Sequence, residues 1–142
     1  MFINLKTSHQ YDGEDMYDLF EDVIWKPSNS RIDIILADSR NDDSVEMIGL
    51  TSGDALVGFA IYKFSGNMAT IQYIGIRRDK RTSGLGKCLI ERIQIASEAK
   101  VIVAETDDDA IGFYSKVGFD IRSLGNSDSG RIRYQCTLKK SE

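Results

Sequence analysis

Ile74–Leu89 reads IGIRRDKRTSGLGKCL, and it carries three signals in sixteen residues. An apolar β-rich run closes at Ile76. Five basic residues (Arg77, Arg78, Lys80, Arg81, Lys87) then stand against Asp79 alone. Gly84 and Gly86 introduce an amphipathic segment that continues through Leu85, Cys88, Leu89, Ile93 and Ala96, which predicts a strand, a basic loop and a helix starting near Gly84. The N–H groups of a first helical turn have no intrahelical partner and form an anion site. Glycine lets the main chain approach a phosphate closely, so the segment predicts a phosphate or pyrophosphate cradle.

Two nucleotide motifs fail on named residues. A P-loop needs a glycine where Arg81 stands and a Ser or Thr where Cys88 stands. A dinucleotide fingerprint needs a third glycine, and Leu89 occupies that place.

Outward from this loop, Val45–Thr51, Ala55–Phe64 and Met68–Ile76 are β-rich runs joined by Ser52-Gly53-Asp54 and Ser65-Gly66-Asn67, the pattern of an antiparallel meander. Val101–Ala104 is short and apolar, as in a buried strand. Asp107–Val117 reads as a helix capped by Asp107 or Asp108 and ended by Gly118. Phe119–Ser123 and Arg131–Leu138 read as closing strands, flanking a polar loop over Gly125–Gly130. At the other end, Phe2–Lys6 suggests a strand, and Tyr11–Trp25 a helix capped by Asp12 and stopped by Lys26-Pro27. The segment from Arg31 to Asp38 fits either helix or strand, with helix preferred. The fold class is α/β (α+β), in the order β-α-α-β-β-β-α-β-α-β-β.

Length and composition set the bounds. The 142 residues suit one domain spanning 1–142, with an ordinary globular composition. One His and two separated cysteines give no zinc spacing, and no metal is expected. No apolar run reaches a membrane span, and the N-terminus does not resemble a signal peptide, so a cytoplasmic protein with no membrane partner is expected. The net charge of −4 argues against a nucleic-acid partner. That charge is segregated: Asp12–Asp22 holds six acidic residues and no basic one, and four of the five residues Glu105–Asp109 are acidic.

Arg81-Thr82-Ser83-Gly84-Leu85-Gly86 resembles the R/Q-x-x-G-x-G/A pyrophosphate motif of the GNAT superfamily, the acyl-CoA-dependent N-acyltransferases. The segment Glu105–Phe119 is similar to that family's N-x-x-A-x-x-F/L-Y-x-K-x-G-F signature, with Asp107 where Asn is usual. The order of elements is similar as well. The resemblance implies a mixed, mostly antiparallel sheet flanked by helices. It implies acetyl-CoA as co-substrate, and direct transfer of its acetyl group to a primary amine in a ternary complex.

By the same resemblance, main-chain groups at Ile74, Gly75 and Ile76 would meet the pantetheine arm. Arg81, Thr82, Ser83, Gly84, Leu85, Gly86 and Lys87 would hold the pyrophosphate, and Asp107 falls at a cofactor-side position. Tyr114 matches the tyrosine that protonates the departing thiolate. Some members use a strand-four Glu as base; here Thr70, Gln72 and Tyr73 stand there, and Glu105 is the nearest carboxylate. Neither Cys is expected to act as a nucleophile, and Cys88 is expected to face the core.

The acidic first helix suggests a cationic acceptor: a small-molecule amine such as a polyamine or amino sugar, or a lysine or N-terminus of a protein or peptide. A solubilising face explains the same residues. Family members often dimerise through terminal strands, which allows a homodimer. The alternative function is a non-catalytic acyl-CoA-binding or regulatory module of the same fold.

Overall fold

The structure is a computed structural model that describes residues 1–81, 83–126, 128 and 130–140. Its elements are β1 (Phe2–Asn4), α1 (Glu14–Phe20), α2 (Asn29–Asn41), β2 (Val45–Ser52), β3 (Ala55–Ser65), β4 (Met68–Ile76), α3 (Leu85–Ser97), β5 (Val101–Thr106), α4 (Ile111–Val117), β6 (Asp120–Asn126) and β7 (Ile132–Lys139). A 3-10 turn over Arg78–Lys80 precedes α3. The element order is the expected one, and the segment around Arg31 to Asp38 is helical. Ser28 begins α2 by accepting the Arg31 N–H at 3.1 Å, which satisfies one of the orphan donors of its first turn.

The strands form one sheet in the order β1-β2-β3-β4-β5-β7-β6. The Gly53 and Gly66 connections close two hairpins, giving the antiparallel meander β2-β3-β4. α3 then crosses over, so that β5 runs parallel to β4. The crossover has a consequence for shape. β4 and β5 pair only from Met68↔Val101 to Ile71↔Ala104. Beyond that point β4 stays with β3 as far as Ile76, whereas β5 stays with β7 as far as Thr106. The register of β4 on β3 also shifts between Ile71 and Tyr73, leaving Gln72 as an extra residue. A bulge bends its strand and increases its twist. The sheet therefore forks between residues 72–76 and 105–106.

Two apolar layers sandwich the sheet. α3 and α4 pack on one face with Val57, Tyr62, Ile71, Leu89, Ile93, Ile102, Ala104, Tyr114 and Cys136. α1 and α2 cover the other with Met16, Leu19, Phe20, Ile32, Met47, Phe59 and Ile61. Burial of each large aliphatic side chain contributes roughly 1.5–3 kcal/mol.

Sequence expectations for α1, Asp12 and Cys88 are corrected. α1 is shorter than Tyr11–Trp25: it starts after Gly13 and ends at Phe20, where Val23 N–H turns back to Phe20 O at 2.9 Å. Asp12 caps nothing and instead pairs with Arg40 of α2 at 2.7 and 2.8 Å. Cys88 is exposed, not core-facing. The buried stripe of α3 is Gly86, Leu89, Ile90 and Ile93.

Candidate active site

The fork is bounded by α3 on one flank and the β5–α4 connection on the other. At the first flank, Gly84 adopts φ 83°, the left-handed conformation that L side chains resist, and it caps α3 without a side-chain hydrogen bond. The first intrahelical bond comes from Cys88 N–H to Gly84 O, 3.2 Å. The earlier N–H groups of α3, from Leu85 to Lys87, are those that helix geometry leaves without intrahelical partners. Nothing lies within 4 Å of where a Gly84 Cβ would stand, so the helix start is open. Gly86 is different: a Cβ there would stand 2.3 Å from the Phe113 ring. Its smallness lets α3 and α4 approach each other.

The basic loop is organised by long-range pairs. Arg78 donates two hydrogen bonds to Asp22, each 2.7 Å, and Arg81 donates a third at 3.0 Å. Arg81 Nε also donates to Ile76 O at 3.0 Å, which fixes the loop against the end of β4. Arg77 pairs with Asp79. The guanidiniums of Arg78 and Arg81 hold the Asp22 carboxyl down at about 2 against burial, which acts in the opposite sense. Among the described residues Lys80 and Lys87 form no ion pair. Thr82 lies outside the described residues.

Ile74, Gly75 and Ile76 lie on the forked part of β4. Gly75 faces α1, where a Cβ would stand 2.9 Å from Val23 and 3.0 Å from Leu19 O. Its missing side chain thus seats the end of α1 against the strand.

At the second flank, Tyr114 is 4% exposed, edge-on between Phe113 (5.0 Å) and Phe119 (5.1 Å). Burial pushes its phenol well above the ordinary range, with the neighbouring Cys136 adding in the same direction. The phenol is therefore neutral at physiological pH. Its hydroxyl makes no hydrogen bond among the described residues, where no fully buried side-chain oxygen lacks a partner.

Glu105 is exposed and lies opposite Gln135 in the β5–β7 ladder. Strand alternation puts it on the face opposite Ala104, the face that α1 and α2 share. Asp107 is already engaged. It accepts the Asp109 N–H at 3.1 Å and the Arg131 guanidinium at 3.0 Å, and Arg131 also reaches Asp109. Tyr134 donates to Asp108 at 2.6 Å. α4 consequently starts after Ala110, and Asp107 and Asp108 belong to the preceding turn. Sequence reasoning gave Asp22, Arg78, Phe113 and Arg131 no role in the site. Each acts through a partner far along the chain, and no local pattern announces it.

A strand fork beside an uncapped helix start is an arrangement that accepts an amide-rich arm ending in phosphates: main-chain groups for the arm, helix N–H groups and arginines for the phosphates. Residues 43–121, more than half of the chain, match the acetyltransferase (GNAT) domain. The chain belongs to that family and is an acetyl-CoA-dependent N-acetyltransferase that uses an amine as acceptor.

Among its relatives is the peptidyl-lysine N-acetyltransferase YjaB of Salmonella typhimurium, 26% identical over 140 residues that cover 90% of each protein. The YjaB of Escherichia coli is likewise 26% identical. Among solved structures, an aminoglycoside 6'-N-acetyltransferase complexed with coenzyme A superimposes with a TM-score of 0.78 at 12% identity, covering 100% of this chain and 99% of that one. The ribosomal-protein-S18-alanine N-acetyltransferase of Escherichia coli gives 0.73 at 19% identity, covering 100% and 94%. At such identities these two structures speak for the fold. Among the described residues no helix is long and apolar enough to cross a membrane, and no group of three His, Cys, Asp or Glu could hold a metal.

Proposed function

We propose that the chain acetylates lysine side chains of peptides or proteins, with Tyr114 as general acid and Glu105 as general base acting through water. The observation that carries this reading is the forked sheet. Tyr114 belongs to the α3–α4 side of that sheet, and strand alternation puts Glu105, on the forked part of β5, on the α1–α2 side. Acetyl-CoA, when bound, supplies an activated thioester. The main-chain N–H groups of Ser83, Gly84, Leu85, Gly86 and Lys87, with Arg81, would hold its pyrophosphate, and Ile74, Gly75 and Ile76 would line its arm.

The two faces divide the work. An amine entering from the α1–α2 side would lose its proton toward Glu105, while Tyr114 holds a proton for the thiolate on the other side. A main-chain N–H near the end of β4 polarises the carbonyl being attacked. Lysine as acceptor is supported by the peptidyl-lysine acetyltransferases among the relatives. It is also supported by Glu14, Asp15 and Asp18, which are exposed on α1 with no basic neighbour on that helix.

Thiol release from acetyl-CoA with lysine peptides tests both parts. Tyr114→Phe is expected to lower kcat by about 10²–10⁴-fold, with little change in the KM for acetyl-CoA. Unchanged kcat removes the acid role. Replacing Glu14, Asp15 and Asp18 by their amides is expected to raise the lysine-peptide KM roughly 3–10-fold at low salt, an effect that added salt erases. An unaltered KM leaves the three acids as a solvated face.

A further inference from the structure

Away from the fork, a groove of about 440 Å³ lies between the C-terminal half of α3 and the first three strands of the sheet, β1, β2 and β3. Phe2, Ile48 and Phe64 give it apolar walls, while Glu46, Tyr62 and Arg92 bring polar groups to it. Glu46 stands directly across from Tyr62 in the β2–β3 ladder, on the same face of the sheet. Arg92 comes from α3 and lies 5.2 Å over the Phe2 ring, a cation–π contact that holds the guanidinium at the groove.

Three facts make this more than a surface depression. Glu46 and Arg92 carry opposite charges in one groove, yet neither forms an ion pair among the described residues. Both are close enough to act on the Tyr62 phenol: burial raises its pKa most, Glu46 raises it further and Arg92 lowers it. Tyr62 is only 2% exposed, and its hydroxyl has no hydrogen-bond partner among the described residues. Tyr62 nevertheless lines the groove. Glu46, Arg92 and the Tyr62 phenol thus line one groove without pairing with one another, and together they offer a carboxylate, a guanidinium and a hydroxyl to a ligand.

We propose that the groove is a second binding site, for a small zwitterion: an α-amino acid with an apolar side chain. Its carboxylate takes Arg92, its ammonium takes Glu46, the Tyr62 hydroxyl donates to its carboxylate, and its side chain lies between Phe2 and Phe64. The ligand's own two charges bridge groups that do not reach each other.

Calorimetric titration of the full chain without acetyl-CoA tests this independently of the acetyl transfer. The probes are L-leucine and its two halves, 4-methylpentanoate, which lacks the amine, and 3-methylbutylamine, which lacks the carboxylate. Leucine is expected to bind saturably and each half at least about tenfold more weakly, about 1.4 kcal/mol. Arg92→Gln and Glu46→Gln should each reduce leucine to the level of the half it no longer distinguishes. Tyr62→Phe should weaken leucine several-fold; if that variant misfolds, the exposed Arg92→Gln carries the test. Leucine that binds no better than its halves, or not at all, or indifferently to Arg92→Gln, overturns the proposal and leaves the acetyltransferase reading untouched.

Discussion

The two flanks of the fork invert each other in charge. On the α3 side a basic loop is gripped by one distant acid: Asp22, from the turn after α1, takes Arg78 and Arg81. On the α4 side an acidic turn is gripped by one distant base: Arg131, before β7, takes Asp107 and Asp109. Read as runs along the chain, the first looks strongly positive and the second strongly negative. In space both are partly neutralised, and the difference lies in what remains. The α3 flank keeps Lys80, Lys87 and the uncapped N–H groups of a helix start. The α4 flank ends in a helix that begins without a side-chain cap and presents a buried phenol. In the proposed reading one flank holds an anion and the other delivers a proton.

The flanks meet at Gly86 and Phe113, and breaking that contact should have the largest effect. In Gly86→Ala the new methyl would stand 2.3 Å from the Phe113 ring. Relief requires the Phe113 ring to swing aside or α3 and α4 to separate, at a cost of about 1–3 kcal/mol for overpacking. Thermal unfolding should drop by several degrees, and Phe113→Leu in the same chain should restore part of it. A Gly86→Ala protein that melts with the wild type shows that the flanks are independent.

Local chemistry made some of this legible and left the rest hidden. The hairpins around Gly53 and Gly66, and the Ile76 strand end followed by the Gly84 helix start, depend on neighbours in sequence, and the structure has them there. The end of α1 does not. Apolar residues continue at helical spacing to Val23 and Ile24, but Gly75 and the Asp22 tie, contacts more than fifty residues away, turn the chain after Phe20. The buried face of α3 was misjudged for a similar reason. Its closest approach is marked by Gly86, which has no hydropathy to contribute to a stripe, and this rotates Cys88 to the surface. For the site, Tyr114 and Gly84 stood in recognisable motifs. Asp22 was legible only as the last member of an acidic run and Arg131 only as the start of a strand, and the fold alone brings them to their partners.

Removing the grip on the α3 side comes second in size. Asp22→Asn takes away a carboxylate that competes with phosphates for Arg78 and Arg81. The KM for acetyl-CoA should fall a few-fold at low ionic strength and converge with the wild type at high salt. A KM that rises instead assigns Asp22 to aiming the arginines and not to masking them. The wild-type carboxyl should titrate near 2 by NMR, depressed from 3.8 by Arg78 and Arg81. A depressed folded-state value means that the tie contributes in full above 3.8 and is lost as pH falls through about 2.

The smallest effect should come from the α4 side. Arg131→Gln releases Asp107 and Asp109, but Arg131 is half exposed and the two ion pairs lie at the surface, where each contributes about 0–1 kcal/mol. The Asp107 to Asp109 N–H turn and the Tyr134 bond to Asp108 survive the substitution and keep the segment in place. Unfolding should therefore shift by only a degree or two, with the KM for acetyl-CoA unchanged, because this flank offers the phosphates nothing. If Arg131→Gln moves that KM as far as Asp22→Asn does, the freed Asp107 and Asp109 act on the bound phosphates across the fork. The division of the flanks into an anion-holding side and a proton-delivering side would then fail.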